Sequence, residues 1–257
     1  MAGLSLSPTL SLSGGAGASA PAWAPADLGA SLLAFWDAER ADLLTLATAA
    51  VTTWTDATAN GYAITQSTTS AKPTYSATSF NSRPGVTFDK ANSQRLVRTG
   101  IGSLPVNADP CEIWLVMDQT ALVADTALMS LFEYGNSTNA FRRAERLVSG
   151  GVNYAQGRVG TGAGASAFSN ANIPFSGKHV VRYAIGATSS QVHMDGNAGL
   201  SQNIVPATSS GNMSMGMTNS GSFPMTGIIN ACLVTAALDA DQAAALLAWG
   251  KARAGIA

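Results

Sequence analysis

Charge is scarce in this sequence. Lys and Arg number 14 and Asp and Glu 15, so charged residues make up 11% of 257, against roughly 25% in ordinary soluble domains. The formal net charge is -1. No concentrated positive field is available to neutralise phosphates or an anionic membrane surface, which excludes nucleic acid as a partner. The surface must instead be coated by Ser, Thr, Asn, Gln and Gly. Cysteine is equally sparse: Cys111 and Cys232 are too few for a disulfide scaffold. Each sits in an apolar, strand-like run and reads as a free buried thiol, with a disulfide between them as the alternative. The only histidines, His179 and His193, lie far from any Cys or carboxylate at ligand spacing. A zinc centre and a nucleophile–base pair both lack support. Long hydrophobic runs are missing as well. None approaches the roughly 18 residues of a membrane-spanning helix, so no membrane insertion is expected, and the stretch Ile228 to Val234 suits a buried strand. The opening MAGLSLSPTLSLSGG has no basic residues or unbroken apolar block, and no secretory signal is expected.

What remains is 46% hydrophobic residues, enough for one substantial core in a chain of this length. From Ser31 onward, short apolar or alternating runs recur between turn residues, among them LLAFW, VTTW, EIWLVMD, LMSLFEY, HVVRYAI and IINACLV. Their spacing is too tight for intervening helices. Asn60-Gly61 and Asp195-Gly196 are dipeptides favoured by type I′ hairpins. A dozen or so such strands imply two packed sheets, hence an all-β antiparallel sandwich. One segment differs. Ala243 to Ala254 carries Leu246, Leu247 and Trp249 as an amphipathic helix does, with Asp239 and Gln242 as a capping box and Gly255 beyond its end. A second, weaker helical pattern lies at Asp37 to Leu46.

Residues 1–26 form a segment of their own. Leu4, Leu6, Leu10 and Leu12 alternate with Ser and Thr around Pro8, and a Gly/Ala/Ser stretch then reaches Pro21 and Pro25. The leucines suit an extended strand added to a partner and the remainder suits a linker, with a disordered tail as the alternative. Residues 27–257 would be the folded domain.

Several landmarks occur in a familiar order: Trp36-Asp37, Trp54, Asp56, Asn60-Gly61, Arg83-Pro84 and Phe88-Asp89, then HVVRYAIGATSSQVHMDG, and finally MTGIINACLVTAALDADQAAALLAWGKARAGI. This order resembles laminin-G-like, or concanavalin-A-like, jelly-roll domains, particularly those of phage-type particles and large bacterial surface proteins. The leader and linker are similar to those of spike and fibre proteins of tailed phages and gene transfer agents. The resemblance implies a jelly roll with a terminal helix, displayed on a virion surface after synthesis in a bacterial cytoplasm. Its partners would be other virion proteins through the N-terminal segment, a bacterial capsule or surface glycan, and further copies of itself in a homo-oligomer.

Glycosidases of that fold place catalytic acids as Glu-x-Asp-x-Glu, because period-two spacing turns all three to one groove. No such triplet occurs. Glu112 and Asp118 stand at opposite ends of one strand-like run, about 20 Å apart at the usual rise, beyond catalytic separations of up to roughly 9.5 Å. The GTGAGAS stretch lacks the Lys and helix of a phosphate loop. On these grounds the protein reads as non-enzymatic. Cofactors are not required, although Asp37, Asp56 and Asp89 would be the hard-oxygen ligands if calcium were bound; Asx-turns explain the same residues. For sugar binding, Tyr134, Asn136, Asn139, Phe141 and Arg142 combine aromatic faces with hydrogen-bonding groups. Arg142, Arg143 and Arg146 would add positive charge for an acidic sugar, unless they simply protect an edge strand. A glycan-binding virion appendage is the expectation; a purely structural decoration or spacer protein and a glycan-degrading enzyme are the alternatives.

Overall fold

The structure is a computed structural model and describes residues 23–119, 128–136, 140–149, 152–161, 165–169, 175–207 and 211–257. The leader leucines Leu4, Leu6, Leu10 and Leu12 lie outside the described residues, as does Asn139. The chain forms β1 (Leu32–Asp37), β2 (Leu44–Ala47), β3 (Ala50–Thr55), β4 (Ala63–Thr65), β5 (Thr74–Phe80), β6 (Arg83–Phe88), β7 (Leu96–Thr99), β8 (Cys111–Asp118) and β9 (Met129–Asn136). There follow β10 (Ala140–Ser149), β11 (Val152–Gly160), β12 (Ala165–Ser169), β13 (Lys178–Ile185), β14 (Ser189–Met194), β15 (Asn197–Ala198), β16 (Gln202–Asn203), β17 (Asn212–Met215), β18 (Gly227–Ala236) and the helix α1 (Ala240–Ala254).

Every described pairing is antiparallel, and the strands form two layers. The first is centred on β18, which pairs with β8 on one side and with β6 and then β1 on the other; β13 and β14 continue it beyond β8. The second runs β7–β17–β9–β10–β11–β12. Hydrogen bonding passes between layers through β3, which pairs with β4 and touches β5 at Ala50 and Thr74.

Strand β8 shows why this sequence makes a sandwich. Side chains alternate across a strand. Ile113, Leu115 and Met117 enter the central core, where Trp36, Trp54, Phe132, Met213 and Tyr183 also pack. Trp114 and Val116 point the other way, into a second apolar cluster with Phe35, Val180, Leu233 and Leu246 of α1. A strand buried on both faces reads as a continuous apolar run, as EIWLVMD does. Helix α1 thus roofs the outer face of the first layer. Asp239 and Gln242 form the expected capping box, with Asp239 Oδ1 accepting from the Gln242 amide at 2.8 Å, and Gly255 closes the helix in the left-handed region.

Two local expectations need correction. Asp37 to Leu46 is not helical: β1 ends at Asp37, a single turn of 3-10 helix spans Ala41–Leu43, and β2 begins at Leu44. Asp37 Oδ1 accepts from the Glu39 amide at 3.0 Å, an Asx-turn that competes with helix. Asn60-Gly61 does not form a two-residue hairpin either, since the paired ends are Thr55 and Ala63. Asp56 organises that longer loop, accepting from the Thr58 amide at 2.7 Å and from the Tyr62 amide. At Asp195-Gly196, by contrast, both residues have positive φ (53° and 92°) and Met194 pairs with Asn197, the two-residue turn expected. Cys111 and Cys232 are both free and buried.

Candidate functional site

The outer face of the second layer carries its polar chemistry. Glu133 on β9 stands opposite Arg143 on β10 and Ser214 on β17, and Arg143 stands opposite Arg158 on β11. Cross-strand partners share a face, so this register lines up one polar row. Arg143 Nε donates to Glu133 Oε2, and its Nη1 lies 3.5 Å from Glu145 Oε2. Arg158 Nε lies 3.1 Å from Glu145 Oε1, which also accepts from Gln156 Nε2. Two carboxylates and two guanidiniums balance. Burial nevertheless pushes the Glu145 carboxyl above its ordinary range, against the opposing pull of Arg158, Gln156 and Arg143.

Beside this network a recess of about 240 Å³ opens between strand ends, lined by Gly135, Asn136, Gly211, Asn212 and Asn219. Asn212 lies opposite Gly135, which brings β17 and β9 together at the recess. Their approach depends on Gly211, where a Cβ would fall 2.2 Å from the Gly135 carbonyl carbon. The loop after β17 supplies Asn219. Its backbone amide donates to Glu133 Oε1 at 3.0 Å, and its Nδ2 donates to the Asn212 carbonyl at 3.0 Å and the Gly135 carbonyl at 3.2 Å. The carboxamide is therefore fixed in orientation, while its buried Oδ1 has no donor among the described residues. Three carboxamides, those of Asn136, Asn212 and Asn219, converge on one recess.

The residues expected to bind sugar divide sharply. Asn136 is exposed and lines this recess. Tyr134, Phe141 and Arg142 are 0%, 2% and 0% exposed, so none offers a face to a pyranose. Tyr134 packs on Phe132 inside the core, and Arg142 spends its donors on Cys111 Sγ (2.6 Å) and the carbonyls of Asp109 (2.6 Å) and Asn107 (3.0 Å). Arg143 and Arg146 are buried too. The arginine run is an internal framework and not a positive patch for an acidic sugar. The carboxylates considered for calcium are engaged by protein donors: Asp37 by Arg253, Asp56 by its own loop, and Asp89 by the Ala91 amide and Asn92 Nδ2. Among the described residues no group of three or more His, Cys, Asp or Glu is placed to hold a metal ion.

Comparison with solved structures places this fold among known proteins. An arabinofuranosidase complexed with arabinofuranosyl-α-1,2-xylobiose shares 12% identity over 80% of this chain and 51% of its own, with a TM-score of 0.61. The binding domain of botulinum neurotoxin serotype D shares 7% over 87% of this chain and 52% of its own, with a TM-score of 0.60. The enzymatically active domain of bacteriophage CBA120 tailspike protein 2 shares 10% over 70% of this chain and 29% of its own, with a TM-score of 0.51. The chain thus spans about half the length of the first two and less of the third. No protein-family model matches the chain, and no curated protein matches its sequence.

The class defined is an antiparallel all-β sandwich with one C-terminal helix. Its fold is shared by arabinofuranosidases and by an enzymatically active phage tailspike domain. That finding overturns the expectation of a non-enzymatic protein. The exclusion had rested on finding no carboxylates alternating along one strand. Glu133 and Glu145 stand on neighbouring strands around Arg143, and both side chains are fully buried.

Proposed function

We propose that this chain is a glycan-recognition domain of a phage-type virion appendage, and that it holds carbohydrate hydroxyls in the recess of Asn136, Asn212 and Asn219. The observation carrying this reading is the Asn219 carboxamide, fixed by two carbonyls and left with a buried Oδ1 that has no donor among the described residues. An unpaired buried acceptor is costly unless a ligand or water supplies the donor, and sugar hydroxyls supply donors in dense array. A low-charge, amide-rich surface also suits a neutral glycan. The fold shared with a phage tailspike domain supports the virion setting.

A glycan array probed with the protein and with Asn219→Leu tests the reading. Binding to surface polysaccharides that falls about tenfold or more in the variant, as loss of a ligand hydrogen bond predicts, supports it. Binding to no glycan, or equal binding by both proteins, overturns it.

Residues 1–26 serve in this account as the particle anchor, with Leu4, Leu6, Leu10 and Leu12 buried by a virion partner and residues 27–257 as the displayed domain. Deleting residues 1–20 leaves the sandwich folded and removes it from purified particles; unchanged incorporation contradicts the anchor.

A further inference from the structure

A second cavity, of about 250 Å³, lies on the opposite side of the molecule, between α1 and the outer face of the first layer. Its floor is one cross-strand row: Trp114 on β8 pairs with Arg182 on β13, and Arg182 with His193 on β14. Its roof is Ala240, Ala243, Ala244 and Leu247, where three methyl groups leave the space that larger residues would fill. Val180 and Gly196 complete the wall.

The charges here are internally balanced. Glu112 accepts from Arg182 Nη2 and, at 2.8 Å, from Trp114 Nε1, and the Arg182 guanidinium lies 5.4 Å from the Trp114 ring centre. One polar function is left over. Among the described residues neither ring nitrogen of His193 has a hydrogen-bond partner. Burial, and then the neighbouring Arg182, push the His193 imidazole down to about 4, so it is neutral at ordinary pH and keeps one acceptor nitrogen.

A site with mostly apolar walls, no net charge and one spare acceptor selects its ligand. A charged ligand would lose its hydration for no counter-charge. A sugar would leave most of its hydroxyls unpaired, each at about 1–3 kcal/mol. A phenolic ring meets every condition, because its apolar body fills the space and its hydroxyl donates to His193. We propose that this cavity binds a phenol, free or carried on a larger molecule, as a site separate from the glycan recess.

Phenol itself is the probe, followed by NMR of the histidine rings and by titration calorimetry. The account expects millimolar phenol to shift the His193 ring signals and leave those of His179 in place. Benzene, which lacks the hydroxyl, should bind at least about tenfold more weakly, as should phenol to His193→Phe, the cost of one lost hydrogen bond. Ala244→Phe, at an exposed helix position, fills the cavity and abolishes phenol binding while the melting temperature holds. Absence of a His193 shift overturns the proposal, as does undiminished phenol binding in Ala244→Phe. Glycan binding by Ala244→Phe is unchanged in either case, so this outcome and that of the glycan recess are independent.

Discussion

Arg253, in the last turn of α1, holds Asp37, at the end of β1, with both terminal nitrogens: Nη1 donates to Oδ1 at 2.7 Å and Nη2 to Oδ2 at 3.0 Å. Two parts of the chain 216 residues apart are thereby clasped. Arg253 also stacks over Trp249, 4.1 Å from its ring centre, and contacts Glu39 at 3.3 Å. Bidentate geometry and near-complete burial distinguish this pair from a solvated ion pair. Removing Asp37 leaves Arg253 with only Glu39 as counter-ion, so Asp37→Leu should cost up to about 3–5 kcal/mol, whereas Asp37→Leu combined with Arg253→Leu should recover much of that loss. Chemical denaturation of the two variants checks this. Equal stability of single and double variants would mean the clasp contributes only packing.

Trp36 and Trp54 are fully buried, and Trp36 Nε1 donates to the Tyr62 carbonyl at 3.1 Å while its ring packs 5.4 Å from that of Phe132. These are core residues and not a stacking platform. Trp36→Ala should cost about 3–5 kcal/mol, a large share of a domain's stability. A thermal melt measures it, and a shift of only a degree or so would refute the core role.

Much of this was legible beforehand. The apolar runs, the Asp195-Gly196 turn and both caps of α1 follow from local rules of period and chirality, which need no knowledge of neighbours. The site was not. FRRAER reads as a charged, exposed edge, yet β10 lies between β9 and β11 with both faces covered, so Arg142 turns into the core and Arg143 into the ion network. Among the described residues expected to bind sugar, only Asn136 lines the recess, and Asn212 and Asn219 reach it through the register of β17 against β9. No sequence spacing encodes that pairing.

The two histidines should titrate far apart. Burial alone would lower His179, but Asp195 Oδ2 at 2.7 Å and the Ser176 carbonyl at 2.9 Å from its ring hold it above the usual 6.5. His193 is held down near 4. The signs follow from linkage: His179 stabilises the fold fully below pH 6.5 and loses that contribution as pH rises through its folded value, whereas His193 costs stability as pH falls from 6.5 towards 4. An NMR titration of the ring protons resolves both, and a common midpoint near 6.5 would contradict the geometry.

The central claim is that the amide recess binds carbohydrate. Its most direct test is calorimetric titration of the best-bound surface glycan into the protein and into Asn136→Ala, Asn212→Ala and Asn219→Ala, with His193→Phe as a control on the opposite side of the molecule. The account predicts that each asparagine variant weakens binding by about tenfold, one to two hydrogen bonds' worth, while His193→Phe binds as the parent does. Unchanged affinity in all three asparagine variants would contradict it.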